Sequence, residues 1–403
     1  MARVHYREIE GRSGGYYALM GALAVLIIAG LGAAWYMEHH GHYVTGMSNR
    51  IVWGTPHVFA VFLIVAASGA LNVASIASVF GRDIYKPLTR LSGLLAIALL
   101  AGGLSVLVLD LGRPDRLIVA MTHYNFKSIF AWNIFLYTGF FAVVAIYLWT
   151  MFERRMNGYT RRVGLFALVW RLILTTGTGS IFGFLVAREH YNSALLAPLF
   201  IVLSFSLGLA VFILVLMAAC RGTGRALGDE VVNRLANLLG VFVAAVLYFV
   251  LVYHLTNLYI SRQHEVERFV LLTGGVYTAL FWIGQTLVGA IVPLALLYLP
   301  GASRSRIALA AACVIAGGLA QLYVLIIGGQ AYPQLMFPDK EVASNFFDGV
   351  VAAYSPSVPE VALGAGGTAL ALALTLVALK VLPFLPQSLA DADVDSAVNS
   401  ASA

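Results

Sequence analysis

The stretch Leu109-Asp110-Leu111-Gly112-Arg113-Pro114-Asp115-Arg116 packs four charges between Asp110 and Arg116, where one long apolar run ends and before the next begins. A charge at a membrane boundary is costly unless it has a partner or a task. One reading is an ordinary polar loop, with Gly112 and Pro114 stopping a helix. The sharper reading is a polar site at a membrane face that holds a head group or docks a redox partner. His57, which follows Trp53-Gly54-Thr55-Pro56, opens another apolar run at the same face. An imidazole there could hydrogen-bond a quinone carbonyl and carry a proton near neutral pH. The plainer alternative is an interfacial histidine satisfied by water or a carbonyl. Asp110 would be the second member of the site, with Trp53 and Arg113 beside it and His123, Tyr124 and Lys127 following in the loop. Quinone reduction takes two electrons and two protons, so ionisable groups beside the head group are the physical requirement. A tyrosine could donate a hydrogen bond to a carbonyl.

A second set of polar residues lies inside apolar runs. Arg171 sits about two turns into a span, where a charge is expensive. It either snorkels to the membrane surface or pairs within a polar track that continues through Thr175, Thr176, Thr178 and Ser180. His254, Asn257, Gln285 and Gln321 mark the later spans. Together Arg171, Thr175, His254 and Gln285 are the candidate proton path. The commoner use of such groups is interhelical hydrogen bonding. Cofactor arithmetic is restrictive. Only Cys220 and Cys313 occur, too few for an iron–sulfur cluster within the chain. Of the histidines only His57 and His254 fall within spans, both toward one face, with His39 and His40 ending the first. One haem b is arithmetically allowed; a chain of haems across the membrane is not.

The elements that carry these residues are membrane helices. Of 403 residues 60% are hydrophobic and 11% charged, against roughly 45–50% and 25% in soluble domains. The net charge of +6 is spread over short loops, which reads as a topology signal rather than nucleic-acid binding. Spans of about 20 apolar residues are expected at 15–37, 51–80, 91–110, 129–152, 163–187, 194–220, 235–260, 269–299, 305–329 and 359–384. The first run is longer than a signal-peptide core and is preceded by Glu8 and Glu10, so it is read as a retained helix. Loops on the side of the N-terminus hold about twice as many Lys and Arg as the opposite loops, which places both termini in the cytoplasm. The Asp110–Arg116 stretch then faces outward. Spans two to five and six to nine have similar spacing, a weak parallel repeat. Residues 1–386 form the transmembrane domain, and the Ala-, Ser- and Asp-rich segment 387–403 is expected to be a disordered cytoplasmic tail. The roughly 28-residue link before the last span, with Tyr332, Phe337, Lys340 and Tyr354, is long for a connector. It is a candidate docking surface, or a set of head-group anchors.

Trp53-Gly54 with His57, the Asp110–Arg116 stretch, Phe126-Lys127-Ser128 with Trp132, Gly329-Gln330, and Tyr354-Ser355-Pro356-Ser357-Val358-Pro359-Glu360 together resemble the NrfD/PsrC family, the membrane subunits of polysulfide-reductase-like redox complexes. The likeness covers essentially the whole chain and its ten-span branch. It implies an all-α integral membrane protein with two four-helix bundles, spans 2–5 and 6–9, plus flanking first and last helices. It also implies no haem or iron–sulfur cluster in the chain, and a site for menaquinone or ubiquinone near the outer face. Implied partners are an extrinsic periplasmic ferredoxin-like iron–sulfur subunit, a multihaem cytochrome c and further redox subunits of a bacterial inner-membrane complex in dissimilatory sulfur metabolism. The rivals are a secondary transporter or ion carrier and a haem b subunit. Transporters bind near the midplane on broken helices, whereas the dense polar cluster here lies at a face.

Overall fold

The computed structural model describes residues 5–301, 303–334 and 349–392. Among them, ten helices are long and apolar enough to cross a membrane. They are α1 Gly14–His40, α2 Thr55–Ser78, α3 Asp83–Leu109, α4 Ile129–Phe152, α5 Arg154–Gly183, α6 Leu196–Thr223, α7 Asp229–Tyr259, α8 Val276–Tyr298, α9 Arg304–Ala331 and α10 Val358–Val381. At 1.5 Å per residue, the 27 residues of α1 reach about 40 Å, enough for a bilayer core of about 30 Å with some tilt. The only β pairing among the described residues is two isolated bridges, Tyr6 with Pro386 and Leu227 with Leu389.

The helices begin where the sequence chemistry favours it. Pro56 stands in the first turn of α2, where its missing N–H costs no hydrogen bond. The α10 helix opens with a capping box between Ser357 and Glu360, and with Pro359 in its first turn. One expected span is divided. The apolar run from 269 does not continue unbroken to 299, because Gly275 adopts φ 60° and separates the turn Phe269–Thr273 from α8. Thr278 bridges the break, accepting from the Gly274 N–H at 3.0 Å and donating to the Phe269 carbonyl at 3.1 Å. Beyond it, Leu280–Ile291 has π-helical hydrogen bonding, a geometry frequent at functional sites.

In packing, α2 lies against α3, α3 against α4, α4 against α5, and α5 returns to α2. The second set repeats this: α6 against α7, α7 against α8, α8 against α9, and α9 back on α6. Contacts thus close a ring within each group, α2–α5 and α6–α9. The sets meet along α2 and α6, where Gly69 and Gly208 face each other so closely that a Cβ on either would collide with the other helix's backbone. Small residues at such a crossing let two backbones approach. Outside the groups, α1 packs along α10, which in turn lies on α3 and α2.

The first and last described residues, near His5 and Gln387, lie together at one end of the molecule. The Gln387 N–H donates to the His5 carbonyl at 2.8 Å and the Arg7 N–H to the Leu385 carbonyl at 3.1 Å. The first residues of the expected tail are therefore paired, and Leu389 also pairs with Ala226 at 2.9 Å; residues 393–403 lie outside the described residues.

Candidate functional site

Because α2 and α3 are antiparallel neighbours, the first turn of α2 and the residue after α3 share the end of the molecule opposite the termini. This brings His57 and Asp110 together, with Nδ1 2.9 Å from Oδ2. The Asp110 side chain is 1% exposed and that of His57 18%. Beyond this imidazole contact, the buried Asp110 carboxylate has no neutral hydrogen-bond donor among the described residues. A third member comes from the turn after α1. His42 Nε2 lies 3.0 Å from the Asp110 carbonyl oxygen and 3.8 Å from Oδ1. Its hydrogen bonding to Asp110 raises the His42 pKa above the ordinary value, against the effect of partial burial. One buried carboxylate thus faces two imidazoles.

Trp53 closes one side. Its ring centre lies 6.2 Å from that of His57 and is backed by Phe130 at 6.0 Å, Phe182 at 5.8 Å and Tyr191 at 6.4 Å. Aromatic walls of this kind suit a flat ring. The loop leading to Trp53 and His57 has no regular structure of its own, and it is fastened from the other half of the chain. Gln330, at the end of α9, accepts from the Val52 and Trp53 N–H groups at 2.9 and 3.0 Å and donates to the Trp53 carbonyl at 2.9 Å. Arg188 donates to the Arg50 and Gln330 carbonyls. Tyr354 meets the Thr55 N–H at 2.7 Å and donates to Glu360 at 2.5 Å. Glu360, fully buried, also accepts from the Gly46 and Ser357 N–H groups at 2.9 and 2.8 Å. Burial and the neighbouring Glu360 carboxylate push the Tyr354 hydroxyl pKa well up, so it stays a donor. Tyr354 therefore faces inward rather than offering a docking surface, and Tyr332 packs on Phe269 at 5.5 Å. Phe337 and Lys340 lie outside the described residues.

The remaining expected members of the outer site stand apart from this cluster. Arg113 makes a bidentate pair with Asp115 at 3.0 and 2.8 Å, on the surface. His123 bonds its neighbour Thr122 at 3.0 Å, and the Tyr124 ring lies 4.3 Å from that of Phe135. Among the described residues, none of the three hydrogen-bonds to His57 or Asp110.

The candidate proton path separates into two places. Arg171 is 2% exposed and does not snorkel. It lies between α2, α5 and α6, with Nη1 3.4 Å from the Ser68 carbonyl and its guanidinium 5.2 Å from the centre of the Phe205 ring. Thr175 shares that position, 2.6 Å from the Ser68 hydroxyl. His254 and Gln285 belong instead to the second helix group. There His254 Nδ1 is 2.6 Å from Glu267, whose other oxygen accepts from Asn257 at 2.8 Å. Glu267 is fully buried. His190 is buried nearby, with Nδ1 unpartnered. Next to His190 and His254 is a cavity of about 30 Å³ that Gln285 and Gln321 also line; a second of about 20 Å³ continues past the same two glutamines. Each has room for one or two waters.

Sequence reasoning missed His42, His190, Glu267, Gln330 as a fastener, and Glu360. A signal existed for the two acids, since Glu360 falls inside the last expected span and Glu267 two residues before the eighth expected one, where a carboxylate needs partners. His42 and His190 lie in loops and carry no such signal.

A multi-pass helical membrane protein with a buried carboxylate–imidazole cluster at one face is the class these features define. The chain belongs to the NrfD polysulphide reductase family, whose model matches residues 43–334. That match takes in α2 through α9 and leaves α1 and α10 outside it. The chain is 32% identical over 389 residues to an Hdr-like menaquinol oxidoreductase integral membrane subunit of Archaeoglobus fulgidus, covering 95% of this chain and 97% of that one. It is 22% identical over 373 residues to a selenate reductase subunit of Mesobacillus selenatarsenatis, covering 83% and 84%. With the protein NrfD of Escherichia coli it shares 26% identity over 311 residues, 70% of this chain and 96% of that protein.

Proposed function

We propose that this chain is the quinone- or quinol-interacting membrane anchor of a multi-subunit redox complex. In this reading it exchanges electrons with an extrinsic ferredoxin-like iron–sulfur subunit on the outer face, and both termini lie in the cytoplasm. The ligand is menaquinone or ubiquinone, with menaquinone favoured by the name of the Archaeoglobus relative. Its place is DsrP-like, within a complex of the DsrMKJOP kind in dissimilatory sulfur metabolism, alongside a multihaem cytochrome c.

The observation that carries the reading is Asp110, buried under His57 and His42, with no partner for its carboxylate among the described residues other than these two imidazoles. A buried ionisable group left this way in a membrane protein marks a functional site by default. The residues fit a quinone head group. His57 turns Nδ1 toward Asp110 and keeps Nε2 for a carbonyl or hydroxyl, while Trp53 supplies a flat apolar wall. A bound quinone supplies the two-electron, two-proton chemistry. The chain's part is to orient the ring on Trp53, to hold a proton on His57, and to stabilise that charged imidazole with Asp110. The test is His57→Ala in the purified complex. Quinol-linked turnover should fall by about 10²-fold or more, the range of general acid–base effects, with all subunits still co-purifying. Unchanged turnover with a soluble quinol analogue would place the chemistry elsewhere.

Proton movement, if coupled, is best assigned to the His254–Glu267–Asn257 group and the small cavities beside Gln285. That group combines ionisable residues with room for water. Arg171 and Thr175 serve better as the polar seam between α2, α5 and α6.

A further inference from the structure

At the end that carries the termini, α1 stands away from α6, and an apolar cleft of about 370 Å³ opens between α1, α6 and α10. Leu19 and Leu23 line it from α1, Val215 and Ala219 from α6, and Leu372 and Leu376 from α10. From Ser13 to Leu23 it follows ten residues of α1, about 15 Å along the helix. That is about half of a 30 Å bilayer core, the depth of one leaflet. The cleft runs, through shared walls at Ile9, Ser13, Gly222 and Thr223, into a polar chamber of about 490 Å³.

The chamber carries both signs of charge. Arg7 and Arg12 stand beside Glu8 and Glu10, and among the described residues none of the four forms an ion pair. Its other cation, Arg225, is already committed: its guanidinium donates to the carbonyls of Arg7, Glu8, Leu385 and Pro386. An apolar cleft at bilayer depth fills with whatever apolar chain the membrane offers. A purely anionic head group above it would meet two carboxylates along with the arginines. A head group with a phosphate and a primary ammonium answers both, the phosphate with arginine and the ammonium with glutamate.

We propose that this cleft is a structural site for one phosphatidylethanolamine-type lipid, with an acyl chain between α1, α6 and α10 and its head group at Arg7–Arg12. The lipid would join α1, which among the described residues packs chiefly along α10, to the second helix group. The reading is independent of the quinone site, which lies at the opposite end.

The experiment is native mass spectrometry of the full chain in mild detergent, titrated with dioleoyl phosphatidylethanolamine, phosphatidylglycerol and phosphatidylcholine. One phosphatidylethanolamine should be retained per chain, favoured by about tenfold, the discrimination one charge-assisted pair supplies. Ala219→Phe, which fills the cleft, should abolish retention. Glu8→Gln with Glu10→Gln, which removes the carboxylates that meet the ammonium, should erase the preference for phosphatidylethanolamine while leaving acyl-chain binding. Should Ala219→Phe fail to fold, Leu19→Trp fills the same space from α1. Equal retention of all three lipids overturns the head-group assignment. Retention that persists in both filled variants overturns the site, as does displacement of the lipid by a soluble quinone analogue or by a co-purifying membrane subunit.

Discussion

Replacing Asp110 by Asn keeps the shape of the side chain and removes the charge that two imidazoles face. The carboxylate is 1% exposed, 2.9 Å from His57 Nδ1 and 3.8 Å from His42 Nε2. An interaction with a charged partner in such a setting contributes about 1.5–3 kcal/mol, and loss of a positioned acid–base partner lowers turnover by about 10²-fold or more. The stability effect has a defined pH dependence. The His42 pKa is raised in the folded protein, chiefly by its bond to Asp110. A raised histidine contributes stability that is complete below its unfolded value of about 6.5 and is lost as pH rises through the folded value. The variant loses the side-chain part of this contribution and keeps the bond from His42 to the carbonyl of residue 110. The gap in thermal midpoint between wild type and Asp110→Asn should therefore be widest on the acid side and narrow as pH rises. Thermal unfolding followed by a thiol-reactive dye on Cys220, buried in the native state, would measure the gap, alongside turnover with a soluble quinol. A gap that is flat with pH, or widens toward alkaline pH, refutes the pairing of His42 with Asp110. Wild-type turnover across pH refutes the proton role.

Gln330→Ala removes three hydrogen bonds to Val52 and Trp53. At about 0.5–1.5 kcal/mol each, the loop should loosen and KM for quinol should rise more than kcat falls; the opposite split would make Gln330 irrelevant to positioning. Gly208→Ala drives a methyl into the α2 backbone and should prevent stable accumulation of the protein. Gly32→Ala, in open space on α1, should be neutral, and equal expression of the two would contradict the α2–α6 crossing. Glu267→Gln retains a partner for His254 and Asn257 but cannot ionise. In proteoliposomes it should reduce quinol-driven internal pH change while electron transfer continues; an unaltered pH change would remove the second helix group from any proton route.

The sequence alone determined the membrane class, the number of spans and the family resemblance. Those rest on run length, composition and contiguous motifs, which need no knowledge of neighbours. Asp110 and His57 were legible for the same reason: polar residues at the edges of apolar runs are expensive, so their presence is informative by itself. Their pairing was inferable because antiparallel neighbours bring the start of one span beside the end of the next. The tertiary structure decided what depends on contacts between distant segments. His42 and Asp110 are 68 residues apart, and Gln330 and Trp53 are 277 apart. Nothing in a local window marks such partners. The grouping of Arg171 and Thr175 with Ser68, and of His254 with Glu267, was likewise beyond the sequence. Depth in the membrane can be read from position in a span, but the direction a side chain faces is set by which helices pack around it. Arg113, His123 and Tyr124 show the converse. Proximity along the chain to Asp110 made them plausible members of its cluster, yet the turn after α3 carries them onto the surface.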